Sequence, residues 1–175
     1  PLLDARWIHP LLIKKGHADP ELHARVDLLL ARVGQSKMSL LYEQEIRGLG
    51  EYAALPLLRY VQFPLSKPNA AQRRAAMRIL ADIAPTWAIG DLIAILPDED
   101  GEIRVDAARA LERLTGLTMG RPSDDWRKPW DECEKSHRRW ESWWEGNRSR
   151  FPAPFRQASA PPLRKAGRPV RSHTA

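Results

Sequence analysis

At 175 residues, with 43% hydrophobic and 29% charged side chains, the sequence has an ordinary globular composition and room for one sizeable core. A single cysteine, Cys133, excludes an intramolecular disulfide and any cysteine-cluster metal site, and no apolar run approaches the ~18–20 residues that span a bilayer. The formal net charge of +6 is unevenly distributed: residues 151–175 hold five cations and no acid, leaving 23 of the 28 basic side chains against all 22 acidic ones.

In chain order, the short apolar run Leu11–Ile13 precedes Lys14 and Lys15, the reverse of a secretory signal, whose charges come first. The first residue is Pro1 rather than Met, which leaves an upstream signal or anchor open, and localisation with it. Leu2 to Lys14 reads as a short or irregular helix interrupted by Pro10. Asp19-Pro20-Glu21 then predicts a helix start, with Asp19 as cap and Pro20 at the first helical position. Leu22, Val26, Leu29, Leu30 and Val33 form its apolar face, and Gly34 ends it. Residues 1–36 are expected to be an N-terminal capping pair or a degenerate repeat.

Internal repetition governs the next stretch. Shifted by 31 residues, the segment 73–83 falls on 104–114: Arg73 meets Arg104, Ala76 meets Ala107, Arg78 meets Arg109, Leu80 meets Leu111 and Ile83 meets Leu114. The 3–4 spacing of the apolar positions puts them on one helical face. A second match, shifted by 34, lays Ile46, Leu49, Ala54, Leu55, Leu58 and Val61 over Leu80, Ile83, Ala88, Ile89, Leu92 and Ile95. A helix, a short break and a second helix therefore recur, with Gly48 and Gly50 marking one break and Pro85 the next.

The Arg-x-x-Ala-x-x-x-Leu-x-x-Ile/Leu strings at 73–83 and 104–114, the join at 49–61 and the turn Asp98-Glu99-Asp100 resemble the HEAT family of helical repeats over residues 37–116. The resemblance implies an all-α fold, a short α-solenoid of helix pairs. It also implies that the second helix of each pair lines a concave surface, and that Arg73 and Arg104 bridge adjacent units. The alternative architecture is an ordinary bundle of alanine-rich helices.

Thr115-Gly116 closes the first helix of the third unit, and 117–125 reads as a loop punctuated by Gly120, Pro122 and Ser123. A last helix is predicted from Pro129 to Asn147, with Trp130, Cys133, His137, Trp140 and Trp144 spaced 3, 4, 3, 4. Residues 117–150 are thus a loop and a tryptophan-rich capping helix, such as the exposed end of a solenoid needs. The leucine-threonine-glycine junction followed by this helix resembles the C-terminal end of bacterial HEAT-repeat proteins. Trp130, Trp140 and Trp144 read as core, whereas Trp126 and Trp143 are expected to edge into a surface. The basic, proline-rich tail, 151–175, has no periodicity to order it.

No phosphate loop, His-Glu-x-x-His or Gly-x-Ser-x-Gly is present, and the five histidines are scattered. Cys133 and His137, four apart, could both face a metal, but two ligands make no site, so no metal or cofactor is expected. HEAT-like glycosylases and bilin lyases offer an enzymatic precedent; only Asp91 near Trp87 fits it, and the chain reads as a non-enzyme.

The expected function is a protein–protein interaction or assembly scaffold. Its expected contact residues are a groove patch of Leu57, Tyr60, Trp87 and Asp91 and the tail cations Arg156, Arg164, Lys165, Arg168 and Arg171. Packing of Trp87 against a neighbouring helix is the competing reading for that position. The alternative function is nucleic-acid binding through the tail, where 165–171 resembles the Gly-Arg-Pro core of the AT-hook, with Ala166 in place of its arginine. Phosphate attraction is not sequence-specific, and a nearly neutral body weighs against this alternative.

Overall fold

A computed structural model describes residues 20–35, 37–62 and 70–151, which are helical with no strand among them. The α-helices are α1 (Pro20–Arg32), α2 (Ser39–Gly48), α3 (Ala54–Gln62), α4 (Ala70–Ile83), α5 (Ile89–Ile95), α6 (Gly101–Thr115) and α7 (Trp130–Asn147). Short 3-10 turns lead into α3 (Gly50–Ala53), α5 (Thr86–Ala88) and α7 (Ser123–Arg127), and one follows α7 (Arg148–Arg150). The expected helix before residue 19 and the tail beyond Phe151 lie outside the described residues.

Local chemistry sets the helix ends. Asp100 caps α6 by accepting the Glu102 N–H at 2.9 Å, which satisfies one of the orphan donors of the first turn. Gly116 closes it in the left-handed conformation (φ 73°) and donates its N–H to the Glu112 carbonyl at 2.8 Å. After α1, Gly34 turns the chain at φ 81° and donates its N–H to Ser39 Oγ at 2.7 Å, tying the end of α1 to the start of α2.

Packing proceeds by neighbours. Helix α1 lies against α2, α3 and α4; α2 packs on α4, α4 on α6, and each of these latter two takes its following or preceding short helix, α3 on α4 and α5 on α6. The 3-10 turn at 123–127 seats on α6, and α7 on α5. The shared core runs from Val26 and Leu30 through Ile46, Leu58, Met77, Leu80 and Leu92 to Leu111, Trp126 and Trp140. Small Ala53, Ala76, Ala88 and Ala107 are fully buried, which lets the helices approach closely.

The two recurring arginines join successive parts of the chain. Arg73 donates to the Val61 carbonyl from Nε (3.1 Å) and Nη2 (2.9 Å), and pairs with Asp98 after α5. Arg104 is buried and donates to five main-chain carbonyls: Asp98 (2.8 Å), Glu99 (3.2 Å), Trp126 (2.9 Å), Lys128 (2.8 Å) and, at the limit, Arg127 (3.5 Å). A buried guanidinium spread over carbonyls satisfies main-chain groups in two loops at once.

A second set of charges links α2, α4 and α6. Glu43 accepts from Arg47 and Arg78, while Asp82 accepts from Arg47 (3.1 Å) and Arg109 (2.7 Å). Burial pushes the Asp82 carboxyl up, but its hydrogen bonds from Arg109 and Arg47 outweigh that and hold it below the usual carboxylate range. Asp106 behaves oppositely: burial raises it, and Arg109 offsets the rise only in part.

Candidate functional site

The expected groove patch is not a surface. Leu57 is fully buried and Trp87 almost so. The repeat spacing assigns one buried face to each second helix, yet α3 buries Ala54, Pro56, Leu57, Leu58 and Val61, an arc wider than one face. It does so because α1 and α4 enclose it from two directions. Trp87 is covered in the same way at the start of α5, which lies between α6 and α7. These two positions are therefore packing residues.

Tyr60 and Asp91 are half-buried. The Tyr60 hydroxyl donates to Gln72 Oε1 at 3.4 Å, and Gln72 in turn donates to the Ala31 carbonyl at 3.2 Å. Burial and then the nearby Asp27 carboxylate raise the Tyr60 phenol, and burial raises Asp27 itself. The polar group around Tyr60 thus fastens α1, α3 and α4 to one another. The tail cations Arg156, Arg164, Lys165, Arg168 and Arg171 lie outside the described residues.

At the other end, α7 closes the core with aromatic rings. Trp140 is fully buried and meets Trp143 edge-on at 5.6 Å. Trp143 and Trp144 clasp Phe151 at 5.8 and 5.9 Å. The Trp144 indole lies so close to Gly90 that a Cβ there would fall 2.9 Å from three of its atoms, so only glycine admits the ring. Trp130 and Trp144 are half-buried rather than interior. Trp126, expected at a surface, is fully buried, because its 3-10 turn is pinned to α6 by the bond from Arg104 to its own carbonyl.

Cys133 and His137 do not converge. The Cys133 thiol sits 3.6 Å from the Lys128 carbonyl, and burial pushes it up. His137 Nε2 lies 3.1 Å from the Ile93 carbonyl, with the Trp130 ring beside the imidazole at 5.4 Å and tilted by 60° to it. Among the described residues no three His, Cys, Asp or Glu side chains group as metal ligands, and no helix is long and apolar enough to cross a membrane.

Among the described residues, most of the large apolar side chains that the fold leaves accessible lie on the first two helices and the turn between them. Leu28, Met38, Leu40 and Leu41 are 49–66% exposed, and Leu117 is the other large apolar side chain of this kind among the described residues. Leu28 belongs to the run Leu28-Leu29-Leu30. At 100° per residue three consecutive leucines cannot share a face, and Leu29 and Leu30 are the two that turn inward. That geometric limit was a signal in the sequence for an outward leucine, as was Leu40-Leu41 preceding the buried Glu43 and Ile46.

No protein-family model matches the chain, and no curated protein or solved structure matches it.

Proposed function

We propose that the chain is a short α-solenoid of HEAT-like helix pairs that works by binding protein, as an interaction or assembly module, and that the outward side of its first helix pair receives the partner. The successive contacts of α2, α4 and α6 support the solenoid reading, as do Arg73 and Arg104 acting between neighbouring units. Helix α7, with its tryptophans, then serves as the terminal cap.

The single observation that carries the binding reading is the concentration of exposed apolar side chains. Four of the five fall within the fourteen positions 28–41, with Leu117 the other one among the described residues. Scattered apolar residues need no explanation, but several together on one end of a folded chain mark a contact surface. Leucine and methionine side chains of this kind suit an amphipathic helix or another apolar protein face.

Affinity co-purification of the wild-type chain alongside a Leu40→Glu/Leu41→Glu variant tests this. Both substitutions lie at exposed positions, so helix content and thermal midpoint should stay unchanged. The expected result is at least one protein retained by the wild type and lost by the variant. Identical sets of captured proteins would contradict the proposal.

A further inference from the structure

We infer that the partner seated on the first helix pair is acidic as well as apolar: an amphipathic segment of another protein whose apolar side chains are interleaved with Asp or Glu. The inference rests on the reading of that pair as a protein-binding surface, and it names the chemistry of the partner.

Charge around the exposed leucines is of one sign. Residues 28–42 hold two cations, Arg32 and Lys37, and no Asp or Glu. The acids that border this stretch are already engaged. Glu43 is buried and accepts from Arg47 and Arg78, and Glu45 pairs with Arg25. Asp27 is half-buried and acts on Tyr60 of α3 instead. Arg32 and Lys37 are both exposed, and among the described residues no carboxylate lies within ion-pairing distance of either. This end of the fold therefore presents uncompensated positive charge.

Cations and apolar side chains alternate there. Arg32 lies one helical turn after Leu28, on the same side of α1. Its guanidinium stands 5.8 Å from the ring centre of Tyr42, which directly follows Leu41. An aromatic ring attracts the cation but gives its N–H groups no acceptor. Lys37 precedes the exposed Met38, Leu40 and Leu41. The start of α2 adds to the same field, with no acid in its first turn and no side-chain cap. A purely apolar partner would cover these cations without pairing them, and a basic one would be repelled. An anionic bilayer also combines apolar and negative groups, but holding a surface there takes roughly four to eight clustered cations, more than the two present. The balance favours a protein segment.

A displayed library of helical segments, selected on the full chain, reads the result. Apolar residues are fixed at helical spacing, and the remaining positions vary among Glu, Gln and Lys. Selection should enrich Glu over Lys. A synthetic segment from that pool, followed by fluorescence anisotropy, should bind Lys37→Gln/Arg32→Gln about 5-fold more weakly than the wild type, because two exposed pairs are lost. Its counterpart with Lys in place of Glu should bind Lys37→Glu better than the wild type. Leu40→Ser/Leu41→Ser should cost the acidic segment at least about 10-fold, since apolar contact is removed without adding charge. Circular dichroism of each variant separates lost binding from lost folding.

An empty selection, or a pool with no excess of Glu, overturns the inference. Acidic binding that Lys37→Gln/Arg32→Gln leaves intact also overturns it, because the segment would then sit on other cations of the chain. Phosphatidylserine vesicles that bind through Leu40 and Leu41 more tightly than any selected segment would overturn it in favour of a lipid surface. Neutral segments that are selected, and lost with Leu40→Ser/Leu41→Ser, would sink the acidic class alone and leave the interaction module standing.

Discussion

Replacing Arg104 by methionine keeps the length and apolar stem of the side chain and removes all its donors. In the wild type, three of its hydrogen bonds are 2.8–2.9 Å long and reach the carbonyls of Asp98, Trp126 and Lys128. Hydrogen bonds from a charged donor contribute about 1.5–3 kcal/mol each, and a buried group left without a partner costs about 1–3 kcal/mol. Against this, the guanidinium is itself desolvated, and no carboxylate lies within ion-pairing distance of it among the described residues. The bonds to the loop carbonyls of 98 and 128 are partly exposed, so those groups can rehydrate, whereas the bond to the Trp126 carbonyl is buried.

Allowing roughly one full bond's worth at Trp126 and half that at each loop gives a net loss of about 4 kcal/mol. For a chain of this size a kilocalorie moves the thermal midpoint by about 2–4 °C, so a fall of roughly 8–16 °C is expected. Circular dichroism at 222 nm gives the midpoint, and tryptophan fluorescence should redden in the same transition as Trp126 is released. A fall under about 3 °C would refute the reasoning, because it would mean that the carbonyls are satisfied without the guanidinium. Arg104→Lys should fall between the two, since one ammonium cannot reach both loops.

Gly90→Val should cost about 1–3 kcal/mol by displacing the Trp144 indole, and Trp144→Ala in that background should cost far less than it does alone; simple additivity in denaturant melts would contradict the contact. Leu57→Ala should destabilise by about 2–5 kcal/mol and Trp87→Ala by about 3–5 kcal/mol, as interior residues do. An effect near zero on urea unfolding would return them to the surface. Asp82→Asn removes a carboxylate whose native affinity for protons is depressed by Arg109 and Arg47. Its stabilisation is present above the ordinary carboxylate range and lost as pH falls through the lowered native value. The variant should therefore be weaker by about 0.5–1 kcal/mol at pH 7, discounted for partial exposure, and match the wild type near pH 2. An equal deficit at both pH values would exclude the ion pairs as its source.

Periodicity in the sequence specifies helices well where caps and apolar spacing agree. Pro20 and Gly34 bound α1, Asp100 and Gly116 bound α6, and Pro129 precedes α7, all at positions the sequence itself marks. Arg73 and Arg104, which recur at matched positions, each bond main-chain carbonyls of other segments. Periodicity fails where neighbours decide. Pro56, Leu57 and Leu58 are consecutive and span about 200°, so one helical face cannot hold all three, but a helix enclosed on two sides buries them. Trp126 lies in an irregular segment, where spacing carries no information and a single bond from Arg104 fixes its place. The exposed Leu28, Leu40 and Leu41 are the complement of that lesson: they lie outside the covered arc of α1 and α2.

Site-specific photo-crosslinking from position 41 tests a protein partner on the first helix pair most directly, with position 94, exposed on α5, as the control. The proposed interaction module predicts a discrete crosslinked protein from Leu41 that Ala94 does not capture. The same products from both positions, or none from position 41, would contradict a partner seated there.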